Sequence, residues 1–325
     1  MDEFVETFGT FSSTIHGLLV SIILIPAAIV SFGSGSISDS ISRTYATSLG
    51  CAIYGVGSLI CSVAGIQGQS STAALVQVFL GRCISGAGEG IFLGAITVYG
   101  IEVAPLNARG RVGCIIQLWI STGIMLGYFT CYGSLRIHNS LAWRLPWIMQ
   151  TIVCVILATA ALFLPHSPRW LVHVGRIDEA KSVMRRLGIN EEELALDDIS
   201  DVDRQNEKKG WRQSLDQFKS AFAPGLRGRT LLALFMLGAQ QLSGIDGVLF
   251  YAPTLFKQAG LDSQNASFLA SGVTGIVNVV FTIVGQTLSD KWSVHYVSYP
   301  FQKAQSISGD AVLLSFPVEL SWPWP

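Results

Sequence analysis

Apolar residues run along this chain in seven long stretches, separated by short polar turns and by one long charged segment. Each stretch approaches the roughly 20 residues that a helix needs to cross bilayer hydrocarbon. Inside lipid the backbone must satisfy its own hydrogen bonds, so stretches of this kind predict helices. The expected spans are residues 15–33, 45–65, 73–101, 113–132, 145–164, 231–256 and 268–288. Pro26 lies within the first of them. The Gly/Ser-rich run 33–43 is expected to form a tight polar turn, and residues 67–72, 102–111 and 136–144 to join later spans. The fold class that follows is an all-α polytopic membrane protein with about seven transmembrane helices and a helical cytoplasmic loop.

The remaining segments differ in kind. Residues 1–14 are short and polar. Residues 165–229 are charged, and Ile177, Ala180, Val183, Met184 and Leu187 recur there at helical spacing. An amphipathic helix over residues 178–187, lying against another element, is the expectation. Residues 191–203 are acidic and 204–212 basic, which predicts short helices without a core of their own. The span pattern stops after Trp292, so 293–325 is read as an irregular tail. The chain thus divides into 1–14, a transmembrane block 15–164, a loop 165–229, a second transmembrane block 230–292, and the tail.

Composition agrees with the pattern. Half the residues are hydrophobic and 13% charged, against about a quarter charged in soluble domains. The mean hydropathy is +0.47. A net charge of -1 with no basic arm argues against a nucleic-acid partner. The six cysteines include no CxxC pair and read as small core residues. No catalytic triad, metal-ligand cluster or phosphate loop is visible, so neither an enzyme nor a cofactor is expected. Alternate loops differ sharply in positive charge: seventeen Lys and Arg fall in one set and three in the other. The richer set is expected to be cytoplasmic.

Candidate chemistry concentrates in 231–256. Gln240, Gln241 and Asp246 lie mid-stretch, with Gly244 and Gly247 around Ile245 and Asp246. Lipid offers buried amides and acids no hydrogen bonds, so they face a partner, a cavity or a ligand. The glycines let the helix loosen, which membranes tolerate where backbone lines a cavity. Such a surface suits a polyhydroxylated or small polar ligand; holding helices together is the competing reading. Arg82 and Glu89 are charges inside the third span. In the same span Gly86, Gly90 and Gly94 place a bare strip on one helix face for close packing. A faint repeat joins Ser38-Asp39 to Ser289-Asp290, and repeated halves mark transporters.

Several runs together resemble a sugar porter of the major facilitator superfamily, of the kind found in fungi. Gly81-Arg82 with Gly86, Gly88 and Gly90 is similar to the family's fourth helix, and the segment from Tyr99 through Glu102 and Pro105 to Arg109-Gly110 to the turn after it. Pro165-His166-Ser167-Pro168-Arg169 resembles the family's PESPR, and Gln240-Gln241-Leu242-Ser243-Gly244-Ile245-Asp246 its QQLSGIN. Gln117 and Asn278 also match, and the resemblance covers about residues 15–292.

The resemblance implies alternating-access transport of a sugar or polyol, proton-coupled or facilitative, in a multi-pass protein of the plasma membrane. It places Gln117, Gln240, Gln241, Asp246 and Asn278 where the family hydrogen-bonds sugar hydroxyls, with Asp246 replacing the usual Asn. It places Asp39, Arg43, Glu102, Arg109, Arg111, Arg169 and Asp290 in a cytoplasmic charge cluster that locks the two halves together and parts as the site opens inward. Ser42 stands for a Gly there, His166 for a Glu, and Ser293 for the start of Gly-Arg-Arg. Arg82 resembles the residue that faces a first-helix acid in proton-coupled members. Between the two roles, a buried structural cation paired with Glu89 is the expectation, because membrane charges pair. The Asn265-Ala266-Ser267 sequon, close to a span, is expected to be unused. Ile15 would begin the family's second helix, so the first helix and helices nine to twelve are missing from the resemblance. The expectation is an incomplete carrier that needs those helices or another chain; a sensor or a non-functional truncated product is the alternative.

Overall fold

The computed structural model describes residues 2–9, 12–66, 69–105, 109–188, 219–220, 222–223, 226–260 and 264–296. Every regular element among them is a helix: α1 (Asp2–Phe8), α2 (Ser13–Ser21), α3 (Leu24–Ile41), α4 (Arg43–Ser62), α5 (Ser71–Val103), α6 (Arg109–Ser134), α7 (Leu141–Leu162), α8 (Pro168–His173), α9 (Ile177–Leu187), α10 (Arg227–Leu242), α11 (Ile245–Phe250), α12 (Ala252–Gln258) and α13 (Gln264–Tyr296). Among the described residues seven stretches are long and apolar enough to cross a membrane, matching the seven expected spans.

The first transmembrane block packs through small residues. A side-chain carbon at Gly57 of α4 would lie 2.5 Å from the Gly81 carbonyl and the Ser85 amide of α5. Only glycine admits that approach of two backbones. The strip of Gly86, Gly90 and Gly94 serves the opposite side of α5: carbons there would strike the Ile23 and Ala27 carbonyls and the Ser34 hydroxyl. α7 closes the group against α4, where Ser48 Oγ donates to the Ala158 carbonyl at 2.8 Å. Arg144 Nη1 donates to the Ser62 carbonyl at 2.8 Å, in the last turn of α4, where a cation complements the helix dipole.

Residues 33–43 do not form the expected turn. The chain stays helical to Ile41. Ser34 and Ser40 return their hydroxyls to the carbonyls of Ser31 and Ile37, at 2.8 Å each, and are satisfied without unwinding. The reversal falls entirely on Ser42, at φ +90° and ψ 148°. That conformation costs a side-chain-bearing residue on the order of 1–3 kcal/mol. Ser42 is fully buried, with its Oγ 2.9 Å from His166 Nδ1. Thr44 Oγ1 lies 3.1 Å from the same nitrogen.

The segment 1–14 holds more order than its polarity conveys. α1 docks Phe8, 3% exposed, against Phe4 and Trp143. α9 matches the amphipathic helix expected there, and buries Ala180 and Met184, with Ala180 clustering with Trp170 and Leu171 of α8. Ile177, read as part of its apolar face, is exposed. The acidic and basic runs of 191–212 and the tail from 297 on lie outside the described residues. α13 continues past Trp292 to Tyr296.

Candidate functional site

The sixth span is broken, as its glycines predict. α10 ends at Leu242, Gly244 takes a left-handed φ of +76°, and α11 begins at Ile245. Ser243 ties off the end of α10: its Oγ donates to the Gln240 carbonyl at 2.6 Å and its N–H to the Ala239 carbonyl at 3.0 Å. A second break follows at Tyr251, before α12. Two short interruptions in one span free some backbone groups from the helical ladder, and only a polar or protein-lined environment can satisfy those.

Gln240 and Gln241 sit on the last turn of α10 with exposed side chains. Asp246 is half-buried in the first turn of α11, where unpaired amides favour negative charge. Gln117 of α6 is exposed and Asn278 of α13 half-buried. Their helices pack antiparallel: Ser121 Oγ meets Thr282 Oγ1 at 3.2 Å, and a carbon at Gly275 would lie 2.9 Å from Met125 Cα. Each candidate is therefore one turn from the Ser121–Thr282 contact on its own helix. The antiparallel run leaves Gln117 and Asn278 about two turns apart along the seam. Among the described residues α10 makes its main contact with α11, and residues 231–244 are exposed throughout. The structure thus brings Gln240, Gln241 and Asp246 together at one break, and Gln117 and Asn278 onto one seam. It does not close the two groups over a common guest.

The charge cluster is partly assembled. Arg43 Nη1 lies 2.7 Å from Asp39 Oδ1, and its Nε 3.1 Å from Glu102 Oε2. Arg43 and Glu102 are 13% and 10% exposed, so this junction is desolvated. Trp170 Nε1 donates to the Asp39 carbonyl at 2.8 Å, and Tyr99 Oη to the Pro165 carbonyl at 2.9 Å, fastening α8 beneath it. Arg111 is exposed and Arg169 half-buried. The side chains of Arg109, Asp290 and the sequon's Asn265 lie outside the described residues. His166 is edged by the rings of Tyr45 and Trp170, 5.1 and 5.2 Å between centroids. Burial, then the positive charge of Arg176, push its pKa below the usual histidine value; Glu179 opposes them.

Arg82 departs from the expected pairing. Among the described residues no ion pair joins it to Glu89, which stands two turns along the same helix, about 10 Å of rise away. Its Nη2 instead donates to the Val20 carbonyl at 2.8 Å, and its guanidinium lies 5.4 Å from the Trp147 ring centroid. Val20 precedes the bend between α2 and α3, where the helical ladder leaves carbonyls in need of donors. Arg82 therefore binds α5 to α2 and α7.

A family model described as "Sugar (and other) transporter" matches residues 2–297. The chain belongs to that family. Polyol transporter 5 of Arabidopsis thaliana is 32% identical over 293 residues, which cover 85% of this chain and 52% of the relative. High-affinity glucose transporter 1 of Candida albicans is 25% identical across the whole chain and covers 58% of its own length. The xylose transporter XylE from E. coli, solved in a partially occluded inward-open conformation, superposes with a TM-score of 0.70 at 21% identity, covering 89% of this chain and 67% of that one. The likeness establishes a shared fold. The chain spans about half the length of the curated relatives it matches. As a sugar-transporter family member it is a multi-pass membrane protein.

Sequence reasoning missed the Ser42–His166 contact and the Ser121–Thr282 contact. Ser and Thr recur throughout the chain, and nothing in their local spacing marks which pair will meet across 124 or 161 residues.

Proposed function

We propose that this chain is part of a carrier that moves a sugar or polyol across the bilayer by alternating access. The observation that carries the reading is the broken sixth span, with Gln240, Gln241, Ser243 and Asp246 gathered at Gly244 inside an otherwise apolar stretch. Discontinuous membrane helices of this kind build substrate sites in transporters. Amides and a carboxylate can bridge neighbouring hydroxyls of a sugar ring. Gln117 and Asn278 complete the proposed hydroxyl-binding set. Relatives named for polyol, glucose and xylose transport support the substrate class. Asp39, Arg43, Glu102, Arg109, Arg111, Arg169 and Asp290 form the proposed cytoplasmic latch. In this reading 15–164 forms one half, 165–229 the joining loop, 230–292 the start of the second half, and the plasma membrane is the site of action. Arg82 is a structural cation, and protons remain a candidate co-substrate.

The open flanks of α10 and the doubled length of the relatives support a need for further helices, from the same or another chain. The test is uptake of radiolabelled glucose, xylose and sorbitol into vesicles. One set holds this polypeptide alone, and another holds it together with the C-terminal half of a longer family member. Saturable uptake only in the second set, abolished by Gln240→Ala, is expected. Saturable uptake by the polypeptide alone would refute the need for added helices. No uptake in either set, with folded protein, would overturn the carrier reading.

A further inference from the structure

The second break in the sixth span has a specific cause and a specific remedy. In a continuous helix the Leu249 carbonyl would accept the amide of residue 253, four positions on. Residue 253 is a proline and has no N–H to give. The neighbouring rungs are intact: Val248 N–H reaches the Gly244 carbonyl at 3.1 Å, Tyr251 N–H the Gly247 carbonyl at 3.1 Å, and Leu255 N–H the Tyr251 carbonyl at 2.9 Å. The hydroxyl of Tyr128, on α6, donates to the Leu249 carbonyl. A side chain from the first block thereby replaces the donor that the second block lacks.

Tyr128 stands eleven residues, or three turns, beyond Gln117 and on the same face of α6. The intervening and adjacent positions pack on α13, where carbons at Gly272 and Gly275 would lie 3.1 and 2.9 Å from Phe129 and Met125. Tyr251, two positions beyond the captured carbonyl, extends toward α2: its ring centroid is 6.3 Å from that of His16, and a carbon at Gly17 would lie 3.6 Å from its hydroxyl. The break at Tyr251 is therefore touched by α6 and α2 together.

We propose that Tyr128 is a positioning residue: its hydroxyl clasps the Leu249 carbonyl, which Pro253 deprives of its helical amide and which otherwise meets only the N–H of Tyr251 two positions on, and so holds α11, with Asp246, in register against the Gln117 face of α6. The link to substrate rests on the carrier reading above; the clasp itself does not. A hydroxyl supplied from another helix is also easier to release than an intrahelical amide, so α11 and α12 can leave α6 as a unit while the spans themselves stay folded.

Hydrogen exchange on the purified chain in detergent, followed by mass spectrometry, tests the clasp. Tyr128→Phe removes one oxygen and is expected to speed exchange of the α11–α12 amides about tenfold, the effect of one hydrogen bond. Peptides from α4 and α5 should not change. Pro253→Ala returns an N–H to the Leu249 carbonyl, so in the double variant Y128F/P253A protection should return. In the two-part uptake assay, Tyr128→Phe should raise the KM for sugar several-fold, and the double variant should restore it. Unchanged exchange in Y128F, or failure of Pro253→Ala to rescue it, overturns the clasp. Altered exchange with an unaltered KM overturns its link to the site. Absence of uptake in the unsubstituted protein would sink the carrier reading, with exchange still deciding the clasp.

Discussion

α4 and the stretch 230–250 are equally hydrophobic, and each is long enough to cross a membrane. Half of α4's apolar stretch is buried by neighbouring helices, and none of 230–250 is. α4 meets α5 through Gly50, Gly57, Gly81 and Gly88, each of which lies against the other helix's backbone. Carbons added at Gly238 and Gly247 in the sixth span would meet nothing of another element within 4 Å among the described residues. Lipid tails are as apolar as leucine, so hydrophobicity puts both helices in the membrane without choosing neighbours for either. Close backbone contact does the choosing, and α10 has a polar, glycine-broken end in place of it. α4 and α5 form a packed frame; α10 is a wall awaiting a second side.

The largest expected effect sharpens that contrast. Gly57→Leu forces α4 off α5 and should cost about 3 kcal/mol or more, seen as loss of monodisperse protein in detergent. Gly238→Ala should leave the fold intact and raise the melting temperature slightly, since alanine favours a helix by up to about 1 kcal/mol. Equal losses from the two changes would erase the distinction between frame and wall.

Charges provide the next comparison. Arg43→Ala strands Glu102 in a desolvated junction and should cost about 3 kcal/mol in thermal unfolding. Arg176→Ala removes a pair with Glu179 at 2.6 Å, but both partners are half-exposed, and less than about 1 kcal/mol is expected. Comparable melting temperatures for the two variants would show that the Arg43 junction is solvated.

A smaller effect is read through pH. Burial, and Arg176 after it, hold the folded-state pKa of His166 below its ordinary value of 6.5. The unfolded chain then binds this proton more readily. The stabilising contribution is complete above about pH 6.5 and is lost as the pH falls through the lower folded value. Melting temperatures measured from about pH 8 to about pH 5 should fall at the acid end, and less steeply in His166→Asn. Parallel curves for the two proteins would remove His166 as the cause. Smallest of all, Gln240→Ala and Gln241→Ala should shift stability by under about 0.5 kcal/mol, because their side chains are exposed. A large loss would mean they hold helices together and are not kept for a ligand.

Much of the fold was legible because spans declare themselves locally. The seven apolar stretches, the helix face of Gly86, Gly90 and Gly94, the α9 stripe and the break at Gly244 all appear where composition and period place them. The run 33–43 misled because Gly and Ser are turn formers in water, whereas here serine hydroxyls bond back to their own helix. Arg82 misled for a related reason. Glu89 is the nearest opposite charge in sequence, but two turns of helix separate them, while a bend at Val20 supplied a carbonyl closer in space. Of the candidate site, the sequence shows which polar groups lie in apolar surroundings; it does not show which of them share a helix seam.

The sequence by itself determined the number of spans, the place where the sixth breaks, and the family to which the chain belongs. Each depends on hydropathy, glycine and proline within a few turns of helix. Only the tertiary structure decided that Ser42 bears a left-handed turn beside His166, that Arg82 serves Val20, and that Tyr128 answers for Pro253. The hydrogen-bonded partners, Ser42 with His166, Arg82 with Val20 and Tyr128 with Leu249, stand 124, 62 and 121 positions apart, and a hydrogen bond acts over about 3 Å, a distance that exists only once the helices have packed.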